Sequence, residues 1–296
     1  MWVVKYRKIW FALSGLMLLA SVYAVSQYGF RLSVDFKGGE ITEVSYTVRP
    51  AKETLESQIK VLDLGGFSVR PSGDKSFIIR TKNLTNDEKA LLAKGLVVGG
   101  ELPKLERQNS IGPVAGDALK GKATKAIAVV IAMIVLFVTF AFRRVSRPVS
   151  SWKYGLATII ALAHDIVIPT GVFVWLGYEA GIEIDLLFVT GLLAILGYSV
   201  HDTIVVFDRV RENLMHKSGN ESFEETVGKS VSQTFARSIN TSLTIFITLL
   251  ALYLFGASAT KDFALLLIIG LVAGTYSSIF IASPLLVTFF KLQKGK

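Results

Sequence analysis

Cysteine is absent from this chain, and histidine occurs three times in 296 residues. The first absence excludes disulfide frameworks, thiolate nucleophiles and cysteine-based zinc or iron–sulfur sites; it leaves the compartment open, because a cysteine-free chain survives in either redox environment. Charge is scarce as well, at 19% of residues against 51% hydrophobic, with a mean hydropathy of +0.51. That balance excludes an ordinary soluble domain, a disordered chain and a collagen-like repeat, and it belongs to a membrane protein. No G-x-S-x-G, Walker A or H-E-x-x-H motif occurs, so neither an enzyme nor a bound cofactor or metal is expected. Gly38-Gly39 reads as a two-glycine turn rather than a phosphate cradle.

What is present is a series of long apolar blocks. A spanning helix needs roughly 20 mostly apolar residues, and six segments qualify: approximately 9–28, 124–142, 155–177, 184–207, 236–256 and 263–289. The first follows Lys5, Arg7 and Lys8 and reads as an uncleaved signal anchor. The net charge of +9 is spread between the blocks rather than clustered, so it sets orientation and no nucleic acid is expected. Cations gather at the N-terminus, in the second-to-third link (Arg143, Arg144, Arg147, Lys153) and at the C-terminus (Lys291, Lys294, Lys296). The link between spans four and five adds Arg209, Arg211, Lys217, Lys229 and Arg237, whereas that between three and four carries Glu179, Glu183 and Asp185 and no cation. Both termini are therefore expected in the cytoplasm, with residues 29–123 outside and 124–296 forming spans two to six.

Residues 29–123 are too polar to span and too patterned for a loop. Val44, Tyr46 and Val48 alternate as in a strand; Leu55, Ile59 and Leu62 follow helical spacing up to Gly65-Gly66. Strands at 67–71 and 76–81 follow across the turn Pro71-Ser72-Gly73-Asp74, then a helix capped by Thr85 with Glu88 three residues on, then a strand near 102–109. The order β-α-β-β-α-β predicts a small ferredoxin-like α+β domain on the extracytoplasmic side of an otherwise α-helical, six-span protein.

Charge inside a span costs about 2.5–3.5 kcal/mol at mid-bilayer, so each case is a functional hypothesis. His164-Asp165 lies in the third span and His201-Asp202 in the fourth, Asp165 near mid-membrane and Asp202 one to two turns from the helix end. The fifth span opens with a polar stripe, Arg237, Asn240, Thr241 and Thr244, and an Asp202–Arg237 pair is expected if spans four and five are neighbours. The sharp reading is a proton relay through these groups; the bland one is that they pin two helices together. Metal ligation by the two His-Asp pairs is disfavoured, because adjacent residues point about 100° apart on a helix. Pro169 and Pro284 read as kinks, and Gly270 and Gly274 as a G-x-x-x-G close approach.

One resemblance covers nearly the whole chain. Val34-Asp35-Phe36-Lys37-Gly38-Gly39, Ile111-Gly112-Pro113, His164-Asp165, the run Gly197-Tyr198-Ser199-Val200-His201-Asp202-Thr203-Ile204-Val205-Val206-Phe207-Asp208-Arg209-Val210-Arg211-Glu212-Asn213, and Arg237-Ser238-Ile239-Asn240-Thr241-Ser242 resemble the SecF family of the SecDF protein-export membrane complex, within the resistance–nodulation–division superfamily. The resemblance implies a bacterial inner-membrane subunit that pairs with a six-span SecD and works with the SecYEG channel after the ATP-driven step of SecA. It also implies use of the proton-motive force to draw an unfolded polypeptide outward. In that family the residues matching Asp202 and Arg237 are tied to proton passage; Asp165 joins them from its cost alone, with Ser199, Asn240, Thr241 and Thr244 in support. A homo-oligomeric proton-coupled exporter of small molecules and a non-conducting scaffold are the alternatives.

Overall fold

The computed structural model describes residues 2–142, 149–216 and 221–294. Arg143, Arg144, Arg147, Lys217 and Lys296 of the charge reading lie outside them, as does the side chain of Lys294. A short α1 (Trp2–Lys5) precedes α2 (Arg7–Tyr28), which stops at Gly29 with φ 63°. Then come α3 (Val34–Lys37), β1 (Gly39–Ser45), α4 (Lys52–Val61), β2 (Phe67–Ser72), β3 (Ser76–Thr81), α5 (Asn86–Gly95) and β4 (Lys104–Ile111). The rest is helical: α6 (Pro113–Ala141), α7 (Ser151–Ala180), α8 (Leu186–Met215), α9 (Phe223–Phe255) and α10 (Ser258–Ser277), continued through a π-helical turn at Ser278–Ala282 into α11 (Ser283–Lys294). Among the described residues six helices are long and apolar enough to cross a membrane, the sixth being the composite Thr260–Gln293.

These helices outrun the apolar blocks. α6 starts at Pro113, whose missing N–H costs nothing at a first helical position, and α9 starts at Phe223 behind a capping box. In that box the Ser222 hydroxyl accepts from Glu225 N and the Glu225 carboxylate accepts from Ser222 N. α8 continues past Phe207 to Met215, so Asp202 stands 13 residues, about 20 Å, from its helix end rather than one to two turns.

The chain divides into two compact units. One holds Phe30–Thr124 together with Ala180–Leu186. Its sheet has the order β2-β3-β1-β4, all neighbours antiparallel, with α4 and α5 as the two crossovers. Leu55, Ile59, Val69, Phe77, Ile79 and Leu92 form its core. Tyr46 is buried and donates to Leu96 O at 2.7 Å, while Val48, expected on the same face, is 77% exposed because β1 ends at Ser45.

The other unit holds Met1–Gly29, Lys125–Glu179 and Leu187–Lys296. Phe142, Tyr154 and Phe207 make a ring cluster with centroids 5.3–5.8 Å apart. At one place Glu224 of α9 meets both Arg7 of α2 (2.9 Å) and Lys291 of α11 (2.5 Å), joining three of the segments whose cations were expected on one side. At Pro284, which reads as a kink, the helix is irregular: a π turn, Ser278–Ala282, ends immediately before Ser283-Pro284. The proline ring excludes the ordinary helical bond to residue 280, and a widened turn absorbs that mismatch.

Candidate functional site

The site lies where α7, α8, α9 and α10 bring polar side chains into the helical unit. Asp165 is fully buried in the middle of α7. His164 Nδ1 lies 2.9 Å from its Oδ1, and its Oδ2 accepts from Ser199 of α8 and, at 2.7 Å, from Ser277 of α10. Three partners from three helices therefore satisfy this carboxylate. Pro169, four residues on, supplies no N–H to the Asp165 carbonyl, which leaves that backbone oxygen without its intrahelical donor.

Asp202 faces a different surrounding. It is 6% exposed, its Oδ1 accepts from Ser238 of α9 at 2.6 Å, and its Oδ2 is buried with no hydrogen-bond partner among the described residues. Burying a carboxylate with an open oxygen is expensive unless a proton, a cation or water sits on it. Hydroxyls continue from both acids. Thr203 and Ser278 meet at 2.8 Å, and Ser278 donates to Ser199 O at 3.3 Å. Ser242 meets Tyr198 at 2.8 Å and Thr275 at 2.7 Å, and donates to Ser238 O at 2.8 Å. The seam closes because Gly270 and Gly274 are small: a Cβ on them would meet Ile195 Cδ1 at 2.1 Å and Ser199 Cβ at 3.0 Å.

The expected Asp202–Arg237 pair does not form. Arg237 is exposed and makes no hydrogen bond or ion pair among the described residues; Ser238, its neighbour, takes the carboxylate instead. Successive residues differ by about 100° around a helix, so the face that turns Ser238 and Ser242 inward turns Arg237 out. Asn240, Thr241 and Thr244 share the exposed face, where Thr244 donates to Asn240 O at 2.9 Å within α9 itself. The stripe thus lies on the exposed face of α9, beside the face that carries Ser238 and Ser242. His201 is likewise exposed.

The residues that the sequence reading missed are Ser238, Ser242, Thr275, Ser277 and Ser278. A signal was available in α9: Thr226, Ser230, Thr234, Ser238 and Ser242 recur every fourth residue, and all five are buried. His164 also lines an apolar cavity of about 380 Å³ with Leu13, Met17, Ile168, Val272 and Tyr276, and its Nε2 has no partner among the described residues.

Comparison with known proteins gives a consistent result. Residues 99–292 match the family described as Protein export membrane protein SecD/SecF, C-terminal. The protein translocase subunit SecF of Thermobaculum terrenum is 36% identical over 97% of this chain and 93% of its own length. The protein translocase subunit SecDF of Thermus thermophilus is 33% identical over 95% of this chain, which spans 37% of that longer protein. The crystal structure of SecDF from the same genus, titled a translocon-associated membrane protein, superposes on 99% of this chain with a TM-score of 0.85 and 30% identity, covering 38% of the longer chain.

Proposed function

Because the chain belongs to the SecD/SecF protein-export family, we propose that it is the SecF half of an export motor driven by the proton gradient. It is a multi-pass membrane protein with a role in Sec protein export, as its relatives are protein translocase subunits. That naming favours the export reading over the small-molecule exporter and the scaffold. In our reading the partner is SecD, whose sequence the SecDF relatives carry on the same chain. The complex helps an unfolded polypeptide through the SecYEG channel of the bacterial inner membrane after SecA has acted.

The topology follows from charge. Both termini lie in the cytoplasm and the sheet-bearing unit, which we read as ferredoxin-like, lies outside; the meeting of Arg7, Glu224 and Lys291 supports putting those three segments on one side.

The observation that carries the mechanism is Asp202, nine-tenths buried with one carboxylate oxygen open. A proton on that oxygen removes the cost of the buried charge, and loss of the proton restores it, so each cycle alters how favourably α8 and α9 pack. A proton moving down the field releases about 2.3 kcal/mol per 100 mV, enough to shift a two-state equilibrium more than tenfold. Asp165, with Ser199 at its side, is the second acid of the relay. Arg237, with Asn240, Thr241 and Thr244, faces out of the subunit, and an arginine against lipid is costly; this supports a partner subunit covering that face.

The test is export of an unfolded secretory protein into membrane vesicles that contain the chain and its partner. Asp202→Asn is expected to remove the gradient-dependent increment and to leave ATP-driven export intact. An unchanged increment would refute the assignment.

A further inference from the structure

The acidic link between α7 and α8, from Ala180 at the end of one helix to Leu186 at the start of the next, counts with the sheet-bearing unit. Its attachment is specific. Leu32 and Ile184 form a parallel bridge, in which Ser33 N donates to Ile184 O at 2.9 Å and Ile184 N donates to Arg31 O at 2.8 Å. Arg80 Nε of β3 lies 3.0 Å from Glu183 Oε2, both side chains largely buried. Asp35 Oδ2 accepts a hydrogen bond from Leu186 N at 2.9 Å, and Leu186 is the first residue of α8.

Asp35 therefore caps, from 151 residues away, the helix that carries Ser199 and Asp202. A helix start leaves N–H groups unpaired and favours a carboxylate, so this contact is stronger than a neutral cap would be. The motif around Asp35 is built to hold it there. Asp35 N donates to the Ser33 hydroxyl at 3.1 Å, which starts the short α3. Behind it Gly38 and Gly39 have φ of 75° and 138°, where a Cβ would meet Pro113 Cα at 2.8 Å and Thr81 O at 2.6 Å. The two glycines let the chain pass close to α6 and β3 and leave Asp35 directed at α8. Burial pushes the Glu183 carboxyl above the ordinary carboxylate range in spite of Arg80, Lys37 and Arg70, so the Arg80–Glu183 pair fixes position more than it adds stability.

We infer that Asp35 is a positioning residue for Asp202: together with the Leu32–Ile184 bridge it clamps the first residue of α8 to residues 32–35, and so fixes the start of the helix that carries the acid. From Leu186 to Asp202 runs about 24 Å of unbroken helix, stiff enough to carry a shift from one end to the other. The inference rests on the proton-driven reading above.

The experiment measures gradient-driven export in vesicles holding the chain and its partner at equal abundance. Asp35→Ala should lower the gradient-dependent increment on the order of fivefold, the factor a lost helix cap is worth, and spare the ATP-driven part. Asp35→Asn, whose side-chain oxygen still accepts from Leu186 N, should keep most of it. Bridge neighbours are close enough for a disulfide, and the chain has no other cysteine to interfere. Leu32→Cys with Ile184→Cys in the Asp35→Ala chain should accordingly restore the increment when oxidised and not when reduced. A full increment in Asp35→Ala, or a loss that oxidation does not relieve, overturns the clamp. Asp202→Asn run alongside separates the two readings: if it keeps its gradient response the proton assignment fails, and the Asp35 variants still decide the clamp.

Discussion

Ser238 is the residue on which the state of Asp202 depends most directly, since its hydroxyl is the one hydrogen bond that the buried carboxylate has among the described residues. Ser238→Ala leaves both oxygens open, a cost of about 1–3 kcal/mol, and should weaken thermal stability of the purified protein and gradient-driven export together. Ser242→Ala should cost less, because Ser242 reaches the acid only through the Ser238 carbonyl. Unequal legibility has a physical cause here. Asp165 and Asp202 stand out in the sequence because lipid makes a carboxylate expensive at any position. Serine and threonine carry no such penalty, since each can return its hydrogen bond to its own helix, as Thr244 does to Asn240 O. Only the fourth-residue spacing separates the buried ladder of α9 from the exposed stripe that Arg237 opens.

Among the elements, the π turn of Ser278–Ala282 is the least regular and lies beside Asp165 through Ser277. Pro284→Ala supplies the missing N–H and should let the turn revert to α geometry, moving Ser277 and Ser278 off Ser199 and Asp165. The expected readout is lowered gradient-driven export with unchanged helix content by circular dichroism. At the start of α5 the Thr85 hydroxyl accepts from Glu88 N at 3.3 Å and Glu88 accepts from Thr85 N at 2.8 Å, with Lys82 Nζ 2.8 Å from the same carboxylate. The hydrogen bond to Lys82 and those to Thr85 lower the Glu88 carboxyl to about 2. A lowered carboxyl contributes stability above its ordinary value of 4.5 that is lost as pH falls towards about 2. Acid unfolding of the full chain, followed by exchange of the α5 amides, should therefore set in at higher pH in Glu88→Gln. This capping box was legible because its Thr-x-x-Glu signature is local; the box at Ser222 carries the same signature but sits in a charged link where no helix start was sought. The bounds of β3 match those read from the sequence, while those of β1, β2 and β4 differ by up to three residues, because pairing, not pattern, ends a strand.

For the molecule as a whole, hydropathy was sufficient to place six helices, since about 20 apolar residues have few other uses. Attachment of Ala180–Leu186 to residues 31–35 and 80 was not legible, because a two-residue bridge across 152 positions leaves no periodicity to find. Outward-facing Arg237 makes a further prediction at this scale. Purification in mild detergent should bring down a second six-span protein, and Arg237→Ala should weaken that association; a pure homo-oligomer would favour the small-molecule exporter.

The central claim is that a buried carboxylate of this chain carries the proton. Its most direct measurement is proton flux into liposomes reconstituted with the purified two-subunit complex, followed by an internal pH dye after a membrane potential is imposed. The account predicts potential-driven acidification with the unaltered chain and its loss in Asp202→Asn, at equal reconstitution. Equal flux in the two preparations would contradict it.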